Sequence, residues 1–198
     1  MKSLAWDAAA HAHFARLLEN RACNYWQENE LEQVLPVRRT KPDFFVRTPS
    51  KVQLLVEIES FEKERFALVA LRQNSVMSGL AHSDQRRLAN AIQRACKQLK
   101  HYRDLGFPTL VILDDFQSVG MPTNPDILGL CLMECFDSKN DRRHVSAVAW
   151  LLTEPGLSPY LRIFHNLDAA AALPREAFGD QADEHWYRLP GQFWKKHV

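Results

Sequence analysis

Between Val52 and Glu59 the chain reads Val-Gln-Leu-Leu-Val-Glu-Ile-Glu, a run that only the two-residue repeat of a β-strand organises. Strand side chains alternate between faces, so Val52, Leu54, Val56 and Ile58 share one side, and Gln53, Leu55, Glu57 and Glu59 share the other. Two carboxylates therefore point the same way. Upstream, the residues from Val37 to Arg47 read as a second strand, joined to the first by the turn-forming cluster Thr48-Pro49-Ser50-Lys51. The pair makes a hairpin, opened by Pro42-Asp43 and ended by Glu57-Ile58-Glu59, which should bring Asp43 close to the two glutamates.

The hairpin lies between two helical patterns. Residues 4–27 contain no Gly or Pro, and Leu4, Ala8, His11, Ala15, Leu18, Ala22 and Tyr25 recur at helical spacing, which predicts a first helix over this stretch. From Asp84, the stripe Leu88, Ile92, Ala95, Leu99 and Tyr102 predicts a long amphipathic helix stopped by Gly106-Phe107-Pro108. Residues 66–82 have no clear period and read as a short helix with a loop. Thr109–Leu113 is an apolar run suited to a buried strand, parallel to an earlier one after the helix crossover. Val145–Leu152 and Tyr160–Phe164 read as further strands, while 126–136 suits either a helix or a strand. The last 30 or so residues read as an irregular segment pinned by Trp186, Tyr187, Phe193 and Trp194. No repeat or linker divides the chain, so a mixed α/β layer fold in one domain, 1–198, is expected.

Composition narrows the function classes. With 198 residues, 46% hydrophobic and 25% charged, the chain can bury a core of its own. Four scattered cysteines do not make a disulfide scaffold, and Cys131-x3-Cys135 lacks the second knuckle of a zinc site. The motifs of P-loop, Rossmann and hydrolase-elbow proteins are missing. No stretch has the roughly 18 apolar residues of a membrane span, and the N-terminal region has charges where a secretory signal keeps an apolar core. A cytoplasmic protein with no membrane partner is expected.

Three carboxylates on one side of a hairpin repel unless a cation neutralises them. Hard oxygen donors of this kind suit Mg2+ or Mn2+. A metal so held can activate water and stabilise charge on a phosphate during in-line displacement.

The ordered set of Pro42-Asp43, a hairpin, Glu57-x-Glu59, a helix with Gln98-x-x-x-Tyr102 and a following apolar strand resembles the PD-(D/E)xK nuclease superfamily. The resemblance covers about residues 4–115 and implies a restriction-endonuclease-like αβββαβ core, with residues 116–198 as a C-terminal elaboration carrying additional strands. It further implies a Mg2+- or Mn2+-dependent nuclease that hydrolyses phosphodiester bonds, in DNA ahead of RNA. Asp43 and Glu57 match the family's metal ligands, and Gln98 and Tyr102 match its Q-x-x-x-Y helix. Glu59 stands where the family usually carries Lys, and is a further ligand or a water-orienting base. Lys63, two strand steps on, or Lys41, beside Pro42, could supply the ammonium. The first helix often contributes a fourth acid in this family, and Glu19 is the only acid well inside it, with Glu28, Glu30 and Glu32 as rivals.

Charge distribution fits a nucleic-acid partner better than the net +1 suggests. Residues 85–103 hold Arg86, Arg87, Arg94, Lys97, Lys100 and Arg103 with no acid, and residues 36–51 hold five basic residues against Asp43. At 100° per residue Arg87, Arg94 and Gln98 lie along one edge of the helix beside Tyr102, in reach of phosphates. His11-x-His13 cannot set both rings on one helix face, His165-Asn166 reads as a turn or structural hydrogen bond, and Asp114-Asp115 as a strand cap. The alternative from another class is a catalytically degenerate nuclease fold serving as a nucleic-acid-binding or protein-interaction subunit. A homodimer or larger complex is compatible with either reading.

Overall fold

The structure, a computed structural model, describes residues 4–36, 38, 40–60, 82–114, 129, 132, 136, 142–152, 158–179, 183–188 and 194–196. Helix α1 (Leu4–Asn20) precedes strands β1 (Asn24–Gln27), β2 (Phe44–Arg47) and β3 (Gln53–Ser60). Helix α2 (His82–Leu99) and strand β4 (Thr109–Asp114) follow, then β5 (Ala147–Leu152), β6 (Tyr160–His165), β7 (Glu184–Arg188) and β8 (Trp194–Lys196). Among the described residues one mixed sheet holds all eight strands in chain order. Strands β3, β4 and β5 are parallel to each other, and β2 and β6 run antiparallel to their neighbours β3 and β5.

Helices α1 and α2 cover opposite faces of this sheet. Ala10, Phe14, Leu17 and Leu18 of α1 share a buried cluster with Leu54, Val56, Ile58, Leu110 and Ile112. Leu88, Ile92, Ala95 and Leu99 of α2 pack with Leu55, Val111, Leu113 and Val148. Strand β4, covered on both sides, is buried along its whole length, as its continuous apolar run requires. The alternation of β3 is thus the expected one. Its even-numbered apolar residues meet α1, and Leu55, on the face that alternation gives Glu57 and Glu59, meets α2.

The expected first helix ends earlier than its spacing suggests. Ala22 adopts a left-handed φ of 52°, and the Ala22 and Cys23 amides fold back onto the Glu19 and Leu18 carbonyls at 3.0 and 2.9 Å. That is a C-terminal cap usually given to Gly. Residues 24–27 then form β1, and Tyr25, spaced as though to continue the helix, instead meets Phe44 with ring centroids 5.8 Å apart. The hairpin turns where expected, with Lys51 at φ 65° and Thr48 N–H donating to the Val52 carbonyl at 2.9 Å. Helix α2 carries its stripe unbroken and tightens into a 3-10 helix over Lys100–Leu105, closed by Gly106 at φ 70°.

The C-terminal expectation is corrected. The tail is not irregular, because β7 joins β6 in parallel and β8 joins β7 antiparallel. Three of the expected pinning aromatics, Trp186 and Tyr187 of β7 and Trp194 of β8, are strand residues, and Trp186 stacks on Phe164 at 6.1 Å. Phe193, residues 66–81 and Cys131 and Cys135 lie outside the described residues, as does most of 126–136; Gly129, Leu132 and Phe136 are helical there. On this same flank the Arg21 guanidinium, just past α1, grips both carboxylate oxygens of Asp183, which also accepts the Leu161 amide at 2.7 Å.

Candidate active site at the carboxyl end of the central strands

Because β2 opposes β3 and β4 parallels it, the start of β2 and the ends of β3 and β4 meet at one end of the sheet. Open α/β sheets bind ligands outside the carboxyl ends of their parallel strands. Four acids occupy register positions toward that end: Asp43, Glu57, Glu59 and Asp114.

Strand β2 is four residues shorter than β3, and its ladder stops at Phe44 opposite Val56. The next inward amide on β3, that of Ile58, would lack a partner, and Asp43 supplies one through its Oδ2 at 2.7 Å. Its other oxygen, Oδ1, faces His11 Nε2 of α1 at 3.4 Å. One more register step past Phe44 puts Asp43 beside Glu57. The expectation of three carboxylates on one side of the hairpin is corrected in this respect: Glu57 and Glu59 take the α2 face of β3, while Asp43 lies in the plane of the sheet and reaches α1.

Glu57 and Glu59 are both buried. Glu59 accepts a hydrogen bond from Arg94 of α2 at 2.7 Å, the carboxylate being 1% exposed and the guanidinium 54%. Arg94 therefore carries the charge of a buried acid out to solvent. Asp114, its side chain 1% exposed, ends β4 opposite Ser60 on the α1 face, and His13 Nδ1 stands 3.4 Å from its Oδ2. His11 and His13 do diverge, as their spacing predicts. They straddle the buried stripe of α1 and reach two different carboxylates.

The remaining expected residues take varied places. Tyr102 is buried and donates its hydroxyl to the Thr40 carbonyl at 2.7 Å, so it holds the segment leading into Asp43. Burial raises its pKa, with Arg38 and Lys41 acting against the rise. Gln98 is half-buried, one turn beyond Arg94. Arg87 is part of α2, with its side chain outside the described part, and Lys63 lies wholly outside it. Glu19 accepts the Tyr25 hydroxyl at 2.9 Å near the far end of α1, two turns beyond His11, and is not brought to Asp43. Of its rivals, Glu32 binds Lys41 at 2.7 Å; that hydrogen bond lowers the pKa of Glu32 and raises that of Lys41, which is thereby engaged away from Glu59.

Sequence reasoning missed His11, His13 and Asp114. The signal was a pair of histidines two residues apart on a helix whose buried face was assigned to the wrong phase. With Ala10, Phe14 and Leu17 as the inner face, the two rings fall on its flanks. His165 bears out its structural reading, since its Nε2 meets His185 Nδ1 at 2.8 Å and it stacks on Tyr187 at 4.5 Å. This pair lies beside Ala147, at the opposite end of the sheet from Asp114.

Among the described residues no three His, Cys, Asp or Glu side chains are gathered as a ready-made metal cage. No described helix is long and apolar enough to cross a membrane. Comparison with protein-family models, with curated proteins and with solved structures gave no match.

Proposed function

We propose that the protein is a Mg2+- or Mn2+-dependent nuclease of the restriction-endonuclease-like class, hydrolysing phosphodiester bonds in DNA. The observation that carries this reading is the arrangement at the carboxyl end of β3. The order α1–β1–β2–β3–α2–β4 has the αβββαβ form, and within it Asp43 reaches across to β3 immediately beside Glu57.

The donors fit a hard divalent ion. Mg2+ characteristically takes one or two carboxylates and fills its other positions with water and substrate phosphate, so an all-protein cage is not required. Asp43 and Glu57 would hold it. The bound ion would supply an activated water and a counter-charge for the phosphate under attack. This chain's own residues then have distinct tasks. Ile58 N–H and His11 fix the two oxygens of Asp43. Glu59, in the place of the family's lysine, orients Arg94, whose half-exposed guanidinium can grip a phosphate through paired N–H donors. Tyr102 fixes the approach to Asp43 through Thr40, and Gln98 lies along the same edge of α2 as Arg94 to position substrate.

A second reading, a catalytically silent fold that binds nucleic acid or another protein, is favoured by one observation: Arg94 already neutralises Glu59. Calorimetry with Mn2+ separates the two. The nuclease reading expects Mn2+ binding that disappears in Asp43→Asn, together with cleavage of plasmid or oligonucleotide in Mg2+ or Mn2+. Intact nucleic acid and no Asp43-dependent metal binding would leave only the silent reading.

A further inference from the structure

The C-terminal end of α2 and the 3-10 helix after it border an open groove of about 700 Å³ lined by Arg38, Lys97, Lys100, His101, Arg103 and Asp104. The single acid is already committed, since Asp104 binds Arg38 at 2.8 Å. Arg38 also donates to the His101 carbonyl at 2.6 Å, and its guanidinium lies over the Tyr102 ring at 5.4 Å. A helix C-terminus attracts a cation to its free carbonyls, and Arg38 fills that role. Lys97, Lys100 and Arg103 remain, all exposed.

Their spacing is regular. Lys100 and Arg103 belong to the 3-10 helix, where residues three apart eclipse one another about 6 Å apart along the axis. Lys97 lies one turn earlier, on the α-helix, where a step of three rises about 4.5 Å and turns the side chain by about 60°. Arg94, a further turn back on the α-helix, continues this basic edge, turned by about 60° from Lys97, to the Glu59 carboxylate. The groove is also tied to Asp43, because Tyr102 between its lining residues holds the Thr40 carbonyl. Three extended residues span about 10 Å at most, so Asp43 stands within that reach of Thr40.

We propose that Arg94, Lys97, Lys100 and Arg103 form the track of one nucleic-acid strand, binding its phosphates in sequence where it runs away from the Asp43–Glu57 site. Only the relation of this track to a cleavage site rests on the nuclease reading; the binding stands on the groove itself. Lys and Arg heads in a row meet phosphates without reading bases, so the grip is indifferent to sequence.

The test is the salt dependence of binding a fluorescent single-stranded DNA oligonucleotide in EDTA, which removes cleavage from the measurement. Each phosphate contact on a single strand contributes about 0.7 to the slope of log K against log salt. The Lys97→Ala/Lys100→Ala/Arg103→Ala variant should lose about 2 from that slope and about 100-fold in affinity at 0.1 M salt. Lys97→Arg/Lys100→Arg should keep the wild-type slope, as should neutralisation of exposed cations elsewhere in Arg16→Ala/Arg175→Ala. An unchanged slope in the triple variant, no binding by the wild type, or equal binding of polyglutamate at this groove would overturn the proposal. Binding with the expected slope but no cleavage in Mg2+ would remove the nuclease reading and leave the track, and cleavage with an unaltered slope would do the reverse.

Discussion

Asp43 does two things with one carboxylate, and they can be separated by one atom. Asn keeps an oxygen to accept the Ile58 amide, whereas Ala leaves that amide without its 2.7 Å partner. Asp43→Ala should therefore lose about 1–3 kcal/mol in urea unfolding, the cost of an unsatisfied buried donor. Asp43→Asn should stay within about 1 kcal/mol of wild type; equal losses in both would show that the amide is not what Asp43 satisfies. Glu59 offers a parallel case. Removing Arg94 leaves a carboxylate buried without its ion-pair partner, and because the guanidinium is half solvated the loss in Arg94→Ala should be about 1–3 kcal/mol rather than the full cost of a buried pair. Adding Glu59→Gln should recover part of that loss, and strictly additive effects would deny the coupling.

At the scale of elements, α2 and its 3-10 extension act as a brace. The Tyr102 hydroxyl reaches the Thr40 carbonyl 62 positions away in sequence and so fixes how the chain enters β2. Tyr102→Phe should cost about 0.5–1.5 kcal/mol and lower kcat for cleavage with little change in KM; an unaltered kcat would make the contact purely structural. The period of α2 and the alternation of β3 were legible because each runs long enough to repeat. Strands β1 and β8, with four and three residues, were not. A strand that short takes its structure from its neighbour, and Asn24–Gln27 continued a helical spacing until the left-handed Ala22 broke it. That Glu57 and Glu59 share a face followed from alternation alone; that Asp43 leaves that face for the Ile58 amide and His11 did not. Which cations and histidines meet them did not, because Arg94, His11 and His13 arrive from helices whose rotation about the sheet is set by packing.

Over the whole molecule, contacts far apart in sequence close the sheet's flank. Arg21, 4% exposed at its side chain, and Asp183, 2% exposed, join the end of α1 to the start of β7. Arg21→Ala should therefore destabilise by about 3–5 kcal/mol in urea unfolding, as breaking one half of a buried pair does; a loss under 1 kcal/mol would contradict that role. His165 and His185 join β6 to β7 further along the same two strands. Burial first, then His185 and Arg175, lower the His165 pKa from 6.5 to about 3. The unfolded chain thus takes up a proton that the folded one refuses. The stability this neutral histidine provides is complete above about pH 6.5 and is lost as pH falls toward 3, by up to about 1.4 kcal/mol per pH unit. Between pH 7 and 5 the wild-type urea midpoint should fall more steeply than that of His165→Asn, and parallel curves would contradict the assignment.

The whole arrangement places its proposed chemistry on Asp43 and Glu57 at the carboxyl end of β3. Cleavage of a labelled DNA oligonucleotide, with Mg2+ or Mn2+ and with EDTA, by wild type and by the stably folded Asp43→Asn variant tests this most directly. Metal-dependent cutting by the wild type, reduced at least about 100-fold in Asp43→Asn, the size of loss that removing one charge-stabilising group produces, is the predicted result. Cutting that persists in EDTA or in the variant, or a wild type that leaves the oligonucleotide whole with either metal, would contradict it.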